Sequence, residues 1–266
     1  MGTITKALEL LNFFSRSRPA LGLGDFVRLS HRDKATVHRH LVELAENGFL
    51  EQNPETRAYR LGPAILRLTA VREATMPMRS LVAPVVADLA NEVGELVHFS
   101  LLQGEQLSPV LHTDPGRHGT QVHFDEAEVL PLHATSSGLA VLAFAPADLR
   151  KAVLAGPLAP FASHTITDAA ALEQALDTVR ASGFGVNDQG FDDEVASVAA
   201  PVFGPDGNVI GALGIAVPFA RMTEAKRTEI SNLLPGGVAR ITTATGGTIP
   251  TALAEAWKAA QPDAVS

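Results

Sequence analysis

One stretch decides how the first part of this chain folds: Lys34-Ala-Thr-Val-His-Arg-His-Leu-Val-Glu-Leu-Ala-Glu-Asn-Gly48. Its apolar residues recur at the spacing of one helix face, at Val37, Leu41, Leu44 and Ala45. Gly48 comes next, and glycine easily takes the left-handed conformation that ends many helices. The stretch therefore predicts a helix that buries this face and exposes Lys34, Thr36, His38, Arg39 and His40 on the other.

Shorter patterns surround this helix. A first helix ending near Ser15 is predicted by one apolar face, Ile4, Ala7, Leu8, Leu11 and Phe14. A second, over residues 23–29, turns Phe26, Val27 and Leu29 inward and precedes a polar turn at 30–33. After Gly48, residues 49–52 and 57–61 flank an Asn-Pro turn and predict a hairpin. Helix, short helix, turn, helix and hairpin is the order of a winged helix-turn-helix.

Charge is distributed unevenly along the 266 residues, whose net charge is −8. Residues 1–72 hold 11 Lys and Arg against 7 Asp and Glu, whereas residues 73–266 hold 10 against 22. A cationic first domain is typical of proteins that bind a polyanion. In a winged helix-turn-helix, the third helix enters the major groove, and Arg57 on the hairpin lies near the flanking backbone or minor groove. The same unit also serves as a protein-binding module, and the pattern alone leaves both readings open.

Composition excludes several classes of protein. With 46% hydrophobic and 19% charged residues, the chain predicts globular domains rather than disorder. No apolar run is long enough for a membrane span, and the N-terminus does not resemble a secretory leader. The absence of cysteine excludes disulfides, thiolate metal sites and cysteine nucleophiles. It also suits a cytoplasmic protein, which we expect here.

The remaining chain predicts a linker and an α+β domain. Residues 62–78 predict an interdomain helix with an apolar edge at Ile65, Leu68 and Val71, ending in a hinge at Met76-Pro-Met78. Residues 79–245 alternate helical and extended patterns, which predicts an antiparallel sheet with flanking helices. Its predicted elements include a strand over 120–124 and a helix capped by Thr167 and ended by Gly183. Residues 246–266 are expected to form a weakly attached short helix or a frayed tail.

Several strings resemble IclR-type transcriptional regulators and keep that family's order from about residue 4 to 240. In the first half they are Ala7–Leu11, Lys34–Arg39, Glu46–Leu50 and Tyr59–Gly62; in the second, Leu130–Gly138, Ser182–Asp188, Val195–Val202 and Gly207–Ile215. The resemblance implies a winged helix-turn-helix (1–61), a linker helix (62–78), a GAF-like effector domain (79–245) and a tail (246–266). It further implies a repressor of a catabolic operon that binds double-stranded operator DNA as a homodimer or a dimer of dimers.

The chain departs from the family pattern at a few positions. His31 and Arg32 replace a glycine and an apolar residue in the turn before the third helix, and Ala35 replaces a hydroxyl residue. Gly24 stands where a Ser or Thr would cap the second helix. Leu139 and Ser197 stand where the effector domain often carries Lys and Cys.

The resemblance also implies site residues. For DNA they are Lys34, Thr36, Val37, His38, Arg39 and Arg57. For the effector they are Ser136 and Ser137 at a helix start, Asn187 and Ser197, an apolar wall of Val122, Phe124 and Leu130, and a polar contact from His98. Main-chain N–H groups at a helix start are a natural carboxylate site, and the alternative is that the two serines only cap the helix. Gly214 and Ala216 replace serines of some members, which implies a larger, less polar cavity and a bulkier acid, such as an aromatic one.

Two other readings compete in the second domain. A hydrolase would use Ser136 or Ser137 with His133 and Asp188, although the GxSxG elbow is absent. Five histidines lie between residues 98 and 133, and strand pairing could gather His98, His112 and His123. Their spacing matches no metal motif, so we expect neither metal nor cofactor, while a histidine contact to the effector stays open.

Overall fold

The computed structural model describes residues 2–259, so Met1 and residues 260–266 lie outside the description. The chain forms two compact units that divide between Pro77 and Met78. The predicted hinge at residues 76–78 coincides with this division. The linker helix, by contrast, belongs to the first compact unit.

The first unit is a winged helix-turn-helix followed by one long helix. Its helices are α1 (Thr3–Leu8), which continues as a 3₁₀ helix (Glu9–Phe13), α2 (Leu23–Ser30), α3 (Lys34–Glu46) and α4 (Pro63–Thr75). The hairpin strands are β1 (Leu50–Gln52) and β2 (Tyr59–Leu61), paired antiparallel with Leu50 opposite Leu61. The predicted order of elements is thus confirmed.

The core of this unit is built around Phe26 of α2. Its ring meets Phe14 edge-on at 5.6 Å and Tyr59 at 6.2 Å between centroids. The face predicted for the first helix is wrong, because Ile4 and Leu8 are exposed whereas Leu10 is fully buried. The helix changes to the 3₁₀ form after Leu8, and its three residues per turn rotate a different side chain inward.

Polar contacts fix the ends of α2 and α3. Helix α2 begins after Gly22, whose N–H donates to Asp25 Oδ2 at 2.9 Å, so the cap is not at Gly24 as expected. Asp33 caps α3 by accepting the N–H of Thr36 at 2.8 Å. In the turn between them, Arg32 donates to the main-chain oxygen of Lys6 at 2.8 Å and pairs with Glu9. This unusual turn residue therefore joins the turn to the first helix.

Helix α4 buries little of its surface. Ala64 is its one buried residue among those described, while Leu68 and Val71 of the predicted apolar edge are exposed. Leu66 is 75% exposed. The linker helix thus carries apolar side chains that the packing of the first unit leaves uncovered.

The second unit is a three-layer α+β domain. Its six antiparallel strands run in the order β5-β4-β3-β8-β7-β6. Their bounds are β3 Leu96–Gln103, β4 Gln106–Thr113, β5 Leu130–Pro131, β6 Gly185–Asp188, β7 Val195–Phe203 and β8 Val209–Pro218. The helices are α5 Met78–Val93, α6 Ser136–Phe144, α7 Ala147–Ala155, α8 Ala169–Ser182, α9 Glu224–Ala244 and α10 Thr251–Ala259.

Helices cover both faces of this sheet. Helices α5 and α9 pack together on one face, and α6 lies on the other with α8 behind it. Because both faces are covered, β7 and β8 are buried along most of their length. This architecture confirms the expected α+β class.

Three expectations in the second unit need correction. Residues 120–124 form no strand, and the N-cap of α8 is Asp168 rather than Thr167, since Asp168 accepts the N–H of Ala171 at 2.9 Å. The segment after residue 245 is not weakly attached as far as Ala259. Trp257 of α10 is buried, donates its Nε1–H to Gly183 O at 3.2 Å and stacks on Phe184. The expectation of a tail over 260–266 falls outside the described residues.

None of the helices within residues 2–259 is both long and apolar enough to cross a membrane.

His40 of α3 is a buried polar group without a hydrogen bond. The sequence predicted it on the exposed face, but it is 1% exposed, and neither ring nitrogen has a partner within the described chain. A buried polar group that gives up water without gaining a partner costs stability.

We expect His40→Leu to raise the free energy of unfolding of the first unit by about 1 kcal/mol, because it removes two unpaired buried nitrogens. The matched control is His38→Leu, since His38 is exposed on the same helix and its replacement should change stability by less than about 0.5 kcal/mol. Chemical denaturation followed by the absorbance of Tyr59, the single tyrosine and buried in this unit, measures both variants. A loss of stability in His40→Leu would contradict this account.

Candidate functional site

The exposed face of α3 carries most of the residues predicted to meet DNA. Lys34, His38 and Arg39 are exposed, and Thr36 is half-buried near the capped start of the helix. Val37 does not belong with them, because its side chain is fully buried beneath the helix. It supports the helix and cannot reach a ligand outside the unit.

The hairpin presents Arg57 at its tip. Asn53 Oδ1 accepts the N–H groups of Glu55 and Thr56, at 2.8 and 2.9 Å, and Asn53 O accepts that of Arg57 at 2.9 Å. This closed turn holds Arg57 at a φ of 58°, in the left-handed region. Its side chain is exposed, as a contact to a backbone phosphate requires.

A cavity of about 130 Å³ lies in the second unit, beside the first turn of α6. Nine of the ten residues predicted to bind an effector line it: His98, Val122, Phe124, Leu130, Ser136, Ser137, Asn187, Ser197 and Ala216. Tertiary structure thus brings together residues from five strands, one helix and one loop.

Gly214 lies beneath this cavity and not on its wall. A Cβ atom there would come within 2.6 Å of His98 Nε2 and 2.8 Å of Ser137 Oγ. His98 stands directly opposite Gly214 on the neighbouring strand. The expectation that Gly214 enlarges the cavity is therefore wrong, because the imidazole of His98 and the hydroxyl of Ser137 occupy that space.

His98 is a neutral polar group of the inner wall. Burial, together with the nearby His112, lowers the pKa of His98 from 6.5 to about 3. The ring lies 4.6 Å from that of Phe124 between centroids, and its Nδ1 is 3.5 Å from Ser100 Oγ. The imidazole therefore offers the cavity a hydrogen bond without a charge.

The first turn of α6 offers hydrogen-bond donors. Thr135 caps the helix by accepting the N–H of Gly138 at 3.0 Å. The N–H groups of Ser136 and Ser137 have no acceptor within the helix because of their position in its first turn. Ser137 Oγ is buried and has no partner in the described part of the chain. These groups, next to the positive end of the helix dipole, favour an acceptor-rich or anionic ligand atom.

Asn187 of β6 completes the polar wall. Its Oδ1 accepts the N–H of Gly190 at 2.9 Å, which leaves the amide nitrogen as the donor that the side chain can offer. Gly185, two residues before Asn187 on the same strand, lets β6 approach α6 closely, since a Cβ atom at this position would lie 2.1 Å from Ser136 O.

The loop of residues 114–129, between β4 and β5, covers the cavity, and two arginines hold it. Arg221 pairs with the buried Glu95 at 2.7 Å and donates to Thr120 O at 2.8 Å. Arg79 pairs with Glu126 at 3.2 Å. Partial burial raises the pKa of Glu126, but the charge of Arg79 and bonds to Arg79 and His112 outweigh it, so the pKa is lowered.

Sequence reasoning missed seven residues of the cavity wall: His123, Asp125, Glu128, Thr135, Phe191, Asp192 and Val195. Most lie on the covering loop or on the turn between β6 and β7, where no apolar periodicity marks them. Two family strings contain one of them each, Leu130–Gly138 with Thr135 and Val195–Val202 with Val195.

The geometry does not support the hydrolase reading. His133 Nε2 lies 2.9 Å from Ala159 O, and the ring lines a different groove from that of the serines. Asp188 pairs with Arg227 at 3.0 Å.

Within residues 2–259, no three His, Asp or Glu side chains are grouped to hold a metal ion.

Comparison with known proteins identifies the class. Residues 3–54 match the model of the IclR helix-turn-helix domain, and residues 73–242 match that of the C-terminal domain of bacterial IclR transcriptional regulators. Together they span most of the chain, so it belongs to the IclR family. It is a DNA-binding transcriptional regulator with a ligand-binding C-terminal domain, and not an enzyme.

Individual relatives agree with this assignment. The chain is 30% identical to the glycerol operon regulatory protein of Streptomyces griseus over 83% of this chain and 86% of that protein. A crystal structure of an IclR regulator from Silicibacter sp. TM1040 shares 45% identity with a TM-score of 0.86, covering 94% of this chain and 99% of that one. An IclR homologue from Microbacterium hydrocarbonoxydans, solved with 4-hydroxybenzoate, shares the fold at 24% identity and a TM-score of 0.71, covering 92% and 99%.

We expect Gly214→Ala to lower the free energy of unfolding of the second unit by about 1–3 kcal/mol, because the added methyl group overlaps His98 and Ser137 in a packed interior. Gly236→Ala in α9 is the control, since nothing lies within 4 Å of its Cβ position and alanine favours the helix. Denaturation followed by the fluorescence of Trp257, the single tryptophan, reports on this unit. Equal stability of the two variants would refute the close packing over Gly214.

Proposed function

We propose that this chain is a homodimeric repressor of a catabolic operon, released from its operator by a small aromatic carboxylic acid. The observation that carries the proposal is the cavity against the first turn of α6. There, unpaired N–H groups and an unpartnered buried hydroxyl meet an apolar wall. The Streptomyces griseus relative is a glycerol operon regulatory protein, and this similarity supports the catabolic role.

The size of the cavity supports a single-ring effector. At about 130 Å³ it is close to the roughly 150 Å³ cavity that accepts benzene in another protein. The ring would pack against Phe124, Leu130 and Val122. Its carboxylate would accept hydrogen bonds from the main chain of Ser136 and Ser137, with His98, Asn187 and Ser197 as further polar partners and Ala216 beside them. The Microbacterium homologue, solved with 4-hydroxybenzoate, binds a ligand of this class.

On the DNA side, we assign base-edge and phosphate contacts in the major groove to Lys34, Thr36, His38 and Arg39. Arg57 would contact the backbone or minor groove beside it. All five are at least partly accessible, and the first 72 residues carry a net charge of +4, from 11 basic and 7 acidic residues. Such a regulator acts on the chromosome, and we place it in the cytoplasm.

A second copy of the chain is the partner proposed for the exposed apolar side chains of α1 and α4 in the first unit. Ile4, Leu8, Leu66 and Val71 are 48–76% exposed. Exposed apolar surface of this kind is typical of interfaces. One recognition helix reads one half-site, so a two-fold dimer matches a palindromic operator, and two dimers can form a tetramer. The effector regulates only if it favours one arrangement of the dimer over the other.

We expect Arg39→Ala to weaken binding to the DNA upstream of the protein's own gene by about 1–3 kcal/mol and to lower the salt slope of binding by about one. The control is Arg28→Ala, because Arg28 is exposed on α2 and pairs with Asp25 at 2.6 Å. Gel shifts at several salt concentrations measure both. An unchanged affinity in Arg39→Ala would remove that residue from the interface.

We expect single-ring carboxylates to raise the melting temperature, with tighter ligands raising it more at equal concentration, and Ser137→Ala to weaken their binding about tenfold through loss of one hydrogen bond. The unliganded variant should be at least as stable as the parent, because the hydroxyl has no partner there. Ser108→Ala on β4, whose hydroxyl bonds Gln103 outside the cavity, is the control. Unaltered ligand affinity in Ser137→Ala would place the acid elsewhere.

A further inference from the structure

The effector cavity is electrostatically polarised from its inner end to its mouth. At the inner end, Ser136, Ser137 and His98 are 1–5% exposed. At the mouth stand three acidic side chains, Asp125, Glu128 and Asp192, which are half-buried or exposed. They come from two different loops, so the acidic mouth is formed by tertiary structure.

The inner end suits one negative charge. Two main-chain N–H groups at the start of α6 and the hydroxyl of Ser137 converge there, and the helix dipole adds partial positive charge. No lysine or arginine is among the described residues that line the cavity. His98 is neutral. A single carboxylate is therefore held by dipoles alone, without a formal counter-charge.

The mouth suits a positive charge. Main-chain N–H groups hold two of its carboxylates in place, because Ala127 donates to Asp125 and Glu194 donates to Asp192, at 2.9 and 2.8 Å. The two arginines that anchor the covering loop pair with other carboxylates, Arg79 with Glu126 and Arg221 with Glu95. A plain anion entering the cavity is repelled by this mouth, whereas a cationic group there is attracted.

Ser137 provides independent evidence for a ligand. Its hydroxyl is buried, lines the cavity and lacks a partner in the described chain. A buried hydroxyl without a hydrogen bond lowers the stability of a folded protein unless a ligand binds to it. The acidic mouth therefore belongs to a cavity that already has an unmet hydrogen-bonding requirement at its other end.

We propose that the effector is zwitterionic: a small ω-amino acid whose carboxylate binds the first turn of α6 and whose ammonium group faces Asp125, Glu128 and Asp192. This inference rests on the proposed function, which places the carboxylate at α6. It adds the cationic end, and with it a ligand class that carries its two charges on opposite sides of a ring or short chain.

Three compounds of similar size test the inference by calorimetric titration of the full chain: 4-(aminomethyl)benzoate, 4-methylbenzoate and benzylamine. We expect the zwitterion to bind roughly fivefold tighter than 4-methylbenzoate, the ratio for a partly exposed ion pair. The advantage should shrink with added salt. It should disappear in the triple variant Asp125→Asn/Glu128→Gln/Asp192→Asn and persist in Asp206→Asn, which alters an acidic residue in the β7–β8 turn away from the cavity.

The outcomes separate this inference from the proposed function. Equal or tighter binding of 4-methylbenzoate overturns the zwitterion and leaves the aromatic acid standing. Benzylamine binding as tightly as the zwitterion overturns both, since the carboxylate would then contribute nothing. Failure of all three compounds to bind also overturns both, because the cavity would not accept a single ring. An advantage that survives the triple variant overturns the role of the acidic mouth.

Discussion

The ligand-binding unit depends on the close approach of the first turn of α6 to the sheet. Gly185 lets β6 run against the carbonyl of Ser136, and Gly214 leaves room on β8 for His98 and Ser137. A side chain at either position would push the helix or these groups away. Because the approach is close, the unpaired N–H groups of the helix face a space enclosed by strands rather than open water. The two glycines thus allow the close packing of α6 on the sheet and, through it, place the N–H groups of the helix in the cavity.

The rest of the unit supports this arrangement. The sheet is covered on both faces, so β7 and β8 form a rigid apolar floor, and polar groups occur on it mainly where the cavity opens. The loop over the cavity has no regular structure, and it is held instead by the ion pairs Arg221–Glu95 and Arg79–Glu126. Arg79 lies in the first turn of α5, at the start of the second unit. A change in the loop on ligand binding would therefore be felt at the beginning of this unit.

The DNA-binding unit follows a simpler division of roles. The buried face of α3, with Val37 and Leu41, packs on α2 and the hairpin, while the opposite face carries its exposed basic residues. Arg32 shows that not every basic residue in the helix-turn-helix is free for DNA, because it holds the turn to the first helix. The exposed apolar surface of α1 and α4 is the part of this unit that folding of one chain leaves uncovered.

The sequence by itself determined the order of elements in the first unit, the α+β class and nine of the ten cavity residues that were expected, because helix and strand periodicities and ordered family strings are local signals. Periodicity put Val37 on the buried face, and only the family resemblance placed it among the DNA contacts. The sequence misplaced His40, because a helix face is defined by what packs on it. It also misjudged Gly214, because the space left by the missing side chain is filled by His98 from the neighbouring strand. The acidic mouth, the held loop and the docking of Trp257 were decided only by tertiary structure. These features join residues far apart in sequence on segments without periodicity, and only the folded chain brings their charges and surfaces together.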